Sequence, residues 1–194
     1  DAWRAEDQGQ GFEAKALPAP KAPRPDAEID VAALRADWAA LKDTHDFFPM
    51  IRKHKVERRQ ALRLVGAPFA ERVAPDTLTR TLHAAADGGV PIMVFVGNPG
   101  CLQIHTGPVR KIKPMGPWIN VLDKGFNLHA RADQITEVWR VTKPTEDGDV
   151  TALECYAPDG SMAVQLFGAR KPGKAELPEW RALAHGVPRT SAAA

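Results

Sequence analysis

From Val90 to Gly168 the chain is a succession of short β-rich runs, divided by Asn98-Pro99-Gly100, Thr106-Gly107-Pro108, Asp123-Lys124-Gly125, Glu146-Asp147-Gly148 and Pro158-Asp159-Gly160. Turns of this chemistry send the chain back beside itself, so successive runs pair antiparallel. The stretch predicts a large antiparallel β-sheet, a meander. Alternation is cleanest in Gln134–Lys143, yet Ile135, Val138 or Val141 and Trp139 compete for the inner face, so the register stays open. Val90–Gly97 is the most apolar run and reads as a buried strand, far short of the roughly 20 residues a membrane-spanning helix needs.

Helical spacing lies mostly ahead of that region. Val31, Leu34, Trp38, Leu41 and Phe48 recur at helical intervals behind Asp30, a plausible N-cap, predicting a helix over 31–43. One or two short helices fit between His45 and Gly66, where Pro49 stands near a helical start. Another is expected over 75–86, with Leu78, Leu82 and Ala85 on one face, and a short one around Glu176–Ala184. The class is α+β, with helices flanking the sheet. Residues 1–29 hold four prolines without a sustained period and read as a linker, 30–185 as one domain, and 186–194 as a flexible tail.

Composition excludes several functions. With 26 Lys+Arg against 24 Asp+Glu, the net charge of +2 falls far short of a nucleic-acid coat. Two cysteines, Cys101 and Cys155, make neither a disulfide framework nor a four-thiolate zinc site; they suit a reducing, cytoplasmic compartment and read as buried, inert thiols. The six histidines show no HExxH pairing, and P-loop, GxGxxG and GxSxG signatures are absent.

Two segments carry chemistry. Thr44-His45-Asp46-Phe47-Phe48 sets an imidazole beside two aromatic rings at a helix start, an arrangement able to hold haem iron or simply to satisfy a partly buried histidine locally. Arg52, Lys53, Lys55, Arg58, Arg59 and Arg63 form a basic stretch, either a solvated helix face or a site for phosphate or carboxylate. Nucleic acid is a minor alternative there, because stacking aromatics are scarce. Lys143 and Arg170 fall at strand ends, and spacing alone does not bring them together.

Three strings extend this reading: DWxxLKDTHDFFPMIRKHKVERRQALRLVG, VFVGNPGCLQIHTGPVRKIKPMGPWINVLDKGFNLHARADQITEVWRVTKPT and VQLFGARKPGKAELPEWRAL. Through them the chain resembles, from about Ile29 to Leu183, the second half of the hemin-degrading factor family (HemS/HmuS type), cytoplasmic proteins of bacterial haem-uptake systems. The resemblance implies one repeat of a two-repeat fold with haem (iron protoporphyrin IX) in a cleft. His45 is then the axial iron ligand, and Lys143, Gln165 and Arg170 are propionate-side or pocket residues, joined by Arg58. Many relatives have Tyr where this chain has Phe167, which removes one hydroxyl from the haem edge. An arginine of the family's first half, which reaches over the open face of the haem, has no counterpart in residues 1–29. The expectation is therefore a fragment lacking its N-terminal repeat, or a second copy supplying the other wall. Two functions follow: reductant-dependent, haem oxygenase-like degradation with iron release, or a non-catalytic carrier passing haem from an importer to a separate haem oxygenase. The sequence leaves open whether His54 can replace His45.

Overall fold

A computed structural model describes residues 22–171 and 173–190; the expected linker up to residue 21 and the last four residues of the tail lie outside them. Five α-helices and nine strands occur: α1 Val31–Ala39, α2 Phe47–Lys53, α3 Arg58–Val65, β1 Ala70–Val73, α4 Thr77–Asp87, β2 Ile92–Asn98, β3 Cys101–Gly107, β4 Ile112–Met115, β5 Trp118–Asp123, β6 Phe126–Arg131, β7 Glu137–Lys143, β8 Val150–Tyr156, β9 Met162–Gly168 and α5 Pro178–Gly186.

The expected large antiparallel sheet with flanking helices is present. Its six strands run β1-β7-β8-β9-β2-β3, every pair antiparallel, while β4-β5-β6 forms a separate three-stranded sheet. The meander is thus interrupted: β9 returns to pair with β2, and the intervening hairpins peel off to cover one side. The short β1 pairs with β7 from far ahead in sequence, an element that the local pattern did not announce.

The large sheet has a core on each face. On one lie Leu34 and Trp38 of α1, Phe47, Met50 and Ile51 of α2, and Ala61, Leu62 and Val65 of α3, against Trp139, Val141, Ala152 and Tyr156. On the other, Leu78, Leu82, Trp180 and Ala184 of α4 and α5, with Ile119, Val121 and Leu128 of the small sheet, pack on Val138, Leu153, Val164 and Leu166. This resolves the register of β7. Both of its faces are interior, so no single alternation marks an inner side. The close packing of α5 requires Gly168, since a Cβ there would stand 2.6 Å from Trp180 Cγ.

Local chemistry sets the helix ends. Asp30 caps α1, its carboxylate accepting from Ala33 N at 2.9 Å, and Trp38 Nε1 anchors the helix by donating to Thr142 O at 2.9 Å. The helix ends at Ala39, short of the expected 43, because Asp43 is already extended (φ −141°, ψ 150°) as the cap of a 3-10 turn, Thr44–Asp46. Asp43 and Asp46 cap each other's backbone N–H reciprocally, a capping box built on two aspartates. Glu57 and Gln60 make a second box at the start of α3, and Gly66 (φ +55°) ends that helix.

Candidate functional site

Helices α1–α3 cover only part of their face of the sheet. Beyond them Met93, Phe95, Leu102, Gln165 and Phe167, from β2, β3 and β9, floor a cleft of about 530 Å³. Its walls are Thr44, His45, Phe48, Arg58, Lys143, Val150, Met162 and Arg170. Volume and apolar lining both suit a small-molecule site. The run expected to be a buried strand is therefore buried on one side only: Ile92 and Val94 enter the core, while Met93 and Phe95 line the cleft. Phe95 and Phe167 meet edge to face at 5.2 Å.

His45 stands on the rim, in the 3-10 turn between α1 and α2, with its side chain 94% exposed. Asp43 Oδ1 takes both its backbone N–H (2.7 Å) and its ring Nδ1 (2.6 Å). A carboxylate can only accept, so Nδ1 carries a proton and, in the neutral ring, Nε2 is the nitrogen with a free lone pair. These two hydrogen bonds, backbone first, hold the Asp43 carboxyl below its ordinary range. The imidazole is thus fixed in tautomer while remaining open, the pattern by which an outer carboxylate orients a metal-binding histidine.

Beneath the cleft lies a fully buried carboxylate, Glu154. It accepts Arg58 Nε at 2.9 Å, Arg58 Nη2 at 2.5 Å, Tyr156 Oη at 2.7 Å and Gln165 Nε2 at 3.0 Å, with Lys143 Nζ at 4.0 Å. Burial alone would raise its carboxyl; the charge and hydrogen bonds of Arg58, with Lys143 and Tyr156, outweigh it and bring it to about 2. Burial also lowers the Lys143 ammonium from 10.5 to about 8, with Glu154 resisting and Arg58 adding to the fall. Two cations against one carboxylate leave one positive charge in surplus at neutral pH. Aromatic faces bracket these cations: Lys143 Nζ lies 4.1 Å from the Phe47 ring centre, and the Arg58 guanidinium 4.9 Å from Phe47 and 5.4 Å from Phe48.

All six residues singled out from the sequence therefore line the cleft, Arg58 while committed to Glu154 through two hydrogen bonds. Arg170 lies 3.9 Å from Asp147 and donates to Lys174 O at 3.2 Å. His54 is not a cleft residue; its Nε2 is held by Asp37 at 2.6 Å, which also takes Lys53. The basic stretch is not one free patch. Lys53, Arg58, Arg59 and Arg63 are paired with Asp37, Glu154, Glu137 and Asp26. Expected burial of both thiols is corrected for Cys101, which is exposed where the Asn98 side chain caps the β2–β3 turn; Cys155 is buried as expected. Sequence reading missed Asp43 and Glu154. The first was legible as an Asp two residues ahead of the histidine; the second had no local signal, since its partners come from 96 and 11 residues away.

Residues 55–187 match the profile of the Haemin-degrading HemS.ChuX domain. The chain belongs to this family. It is 42% identical over 165 residues to the hemin transport protein HmuS of Yersinia pestis, covering 85% of this chain and 47% of that protein. Its fold is similar to holo-PhuS, a heme-binding protein from Pseudomonas aeruginosa (TM-score 0.88, 52% identity), over 92% of this chain and 51% of the other. It is also similar to ChuS, an E. coli heme oxygenase (TM-score 0.80, 37% identity), over 95% and 56% respectively. The chain spans about half the length of the curated relatives it matches. Among the described residues no helix is long and apolar enough to cross a membrane.

Proposed function

We propose that this chain binds haem in the cleft, with His45 as the single axial iron ligand, and handles it for degradation and iron release. The observation that carries the reading is the His45 imidazole, held at Nδ1 by Asp43 and presenting Nε2 at the rim of an apolar cleft. A neutral histidine over an apolar floor is a common way to hold haem iron, and bound haem supplies the redox and oxygen chemistry. Everything else falls to the chain. Phe95, Phe167, Met93 and Met162 exclude water from a flat apolar face, while the surplus charge of the Arg58–Lys143–Glu154 cluster, with Arg170, meets the propionates. A charge-assisted contact of this kind contributes about 1.5–3 kcal/mol. Gln165 lines the cleft floor with its amide Nε2 donating to Glu154, which ties the floor to the buried carboxylate.

The second reading is a non-catalytic carrier, taking haem from an importer and passing it to a separate haem oxygenase. The exposure of His45 favours it, because oxygen chemistry depends on what lines the open side of the ring. A second, similar half, from a longer polypeptide or a second copy, supplies that other wall in either case. Incubating the hemin complex with a reductant and oxygen separates the two. Loss of the Soret band with release of iron and a tetrapyrrole product supports degradation; a persistent Soret band, with transfer to an added acceptor faster than dissociation into water, supports the carrier.

A further inference from the structure

We infer that the outward face of the three-stranded sheet carries a second site for an iron tetrapyrrole, with His129 as its ligand. The inference rests on the haem reading above but on different residues. Register aligns Met115, Trp118 and Arg131 in one row across β4, β5 and β6, and Lys113, Asn120 and His129 in the next. Asn120 is buried and its amide is fully oriented: Nδ2 donates to Lys113 O at 2.9 Å, which leaves Oδ1 to accept His129 Nδ1 at 2.7 Å. His129 is therefore protonated at Nδ1 and keeps its Nε2 lone pair, as His45 does.

The surroundings expose large apolar side chains side by side. Trp118 and Met115 are 40% and 55% exposed, and with Leu122 and His129 they line a groove of about 330 Å³. A second groove, of about 280 Å³, adjoins it and shares Trp118 and His129. Cations flank the apolar strip. Arg131 lies 5.5 Å above the Trp118 ring and is paired with Asp133, whereas Lys113 makes no ion pair among the described residues. Three strands about 4.8 Å apart make a flat face about 10 Å across, the shape a planar macrocycle with acidic edges would cover. A bare metal ion does not fit. Among the described residues no group of three His, Cys, Asp or Glu could hold one, whereas an iron already chelated in a macrocycle needs only the one ligand that His129 offers. The small sheet packs on the face of the large sheet opposite to the cleft, so the two histidines act independently.

The test is a hemin titration of the 194-residue chain and its His45→Ala, His129→Ala and doubly substituted forms, followed by the Soret band and by electron paramagnetic resonance of the ferric complex. The expected result is that His45→Ala still binds one equivalent saturably with a histidine-ligated signature, weakened at least tenfold in the double variant, while His129→Ala keeps the His45 complex. Identical titrations of His45→Ala and the double variant, or no saturable binding by His45→Ala, would overturn the second site and leave the cleft untouched. If His129→Ala removes the complex that His45→Ala retains, and the wild type takes up only one equivalent, the cleft assignment falls and this one stands. His129 is exposed, and unchanged thermal melts of the variants exclude misfolding as the cause.

Discussion

Lys143→Met should stabilise the folded chain near pH 7 while weakening hemin binding. Lys143 is buried, and burial lowers its ammonium from 10.5 to about 8. Between those values the unfolded chain binds a proton that the folded chain does not, so wild-type stability rises as pH climbs from about 8 to 10.5. At about 1.4 kcal/mol per pH unit the whole window is worth about 3 kcal/mol. Below pH 8 that amount is a standing penalty for keeping a charged lysine in the core, with the attraction of Glu154 at 4.0 Å already counted in it. Methionine has a similar length and no charge, and it leaves Glu154 satisfied by Arg58, Tyr156 and Gln165. The variant should therefore gain up to about 3 kcal/mol at pH 7, and the gain should shrink toward zero by pH 10.5. Comparing the two proteins cancels the opposing titrations of Cys155 and Tyr156, whose raised values lower stability above their ordinary ranges in both. Urea unfolding of both proteins at pH 7, 8.5 and 10 measures it. A variant less stable than wild type at pH 7, or a difference that does not change with pH, would refute the reasoning. Hemin affinity should meanwhile fall by roughly ten- to a hundredfold, the value of one charge-assisted contact.

Asp43→Asn should lower hemin affinity by roughly 10- to 100-fold at unchanged stoichiometry, since the carboxylate that orients His45 is lost, and a titration reads it directly. Phe167→Tyr should slow hemin loss to an apomyoglobin acceptor several-fold, about 1 kcal/mol for one restored hydrogen bond. Gly168→Ala should cost about 1–3 kcal/mol in a thermal melt, because its Cβ would stand 2.6 Å from Cγ of the buried Trp180 side chain. A thiol reagent at pH 8 should label one cysteine, Cys101, in the native chain and two in denaturant, since burial pushes the Cys155 thiol up to about 12.

The antiparallel class was readable because turn residues act locally: the Asp123-Lys124-Gly125 and Pro158-Asp159-Gly160 turns do join β5 to β6 and β8 to β9. What the turns could not state is strand order, because the pairings of β9 with β2 and of β1 with β7 are settled by which faces must be buried. The same limit explains β7. Val138 and Trp139 belong to different cores, so a pattern search for one inner face had no answer to find. At the site, His45, Lys143, Gln165, Phe167 and Arg170 were carried by the family resemblance, and the fold brings them to one cleft. Glu154 was invisible because a carboxylate inside an alternating strand looks like any outward-facing residue until three partners converge on it. The basic stretch failed as a patch for the converse reason, since its carboxylate partners lie in other elements.

The most direct measurement is a hemin titration of the wild type and of His45→Ala, followed by absorption spectra in the ferric and ferrous states. The account predicts a wild-type complex with a sharp Soret band whose axial-ligand signature from the cleft is lost in the variant. A variant spectrum indistinguishable from wild type, in both oxidation states and at every hemin ratio, would contradict His45 as the iron ligand.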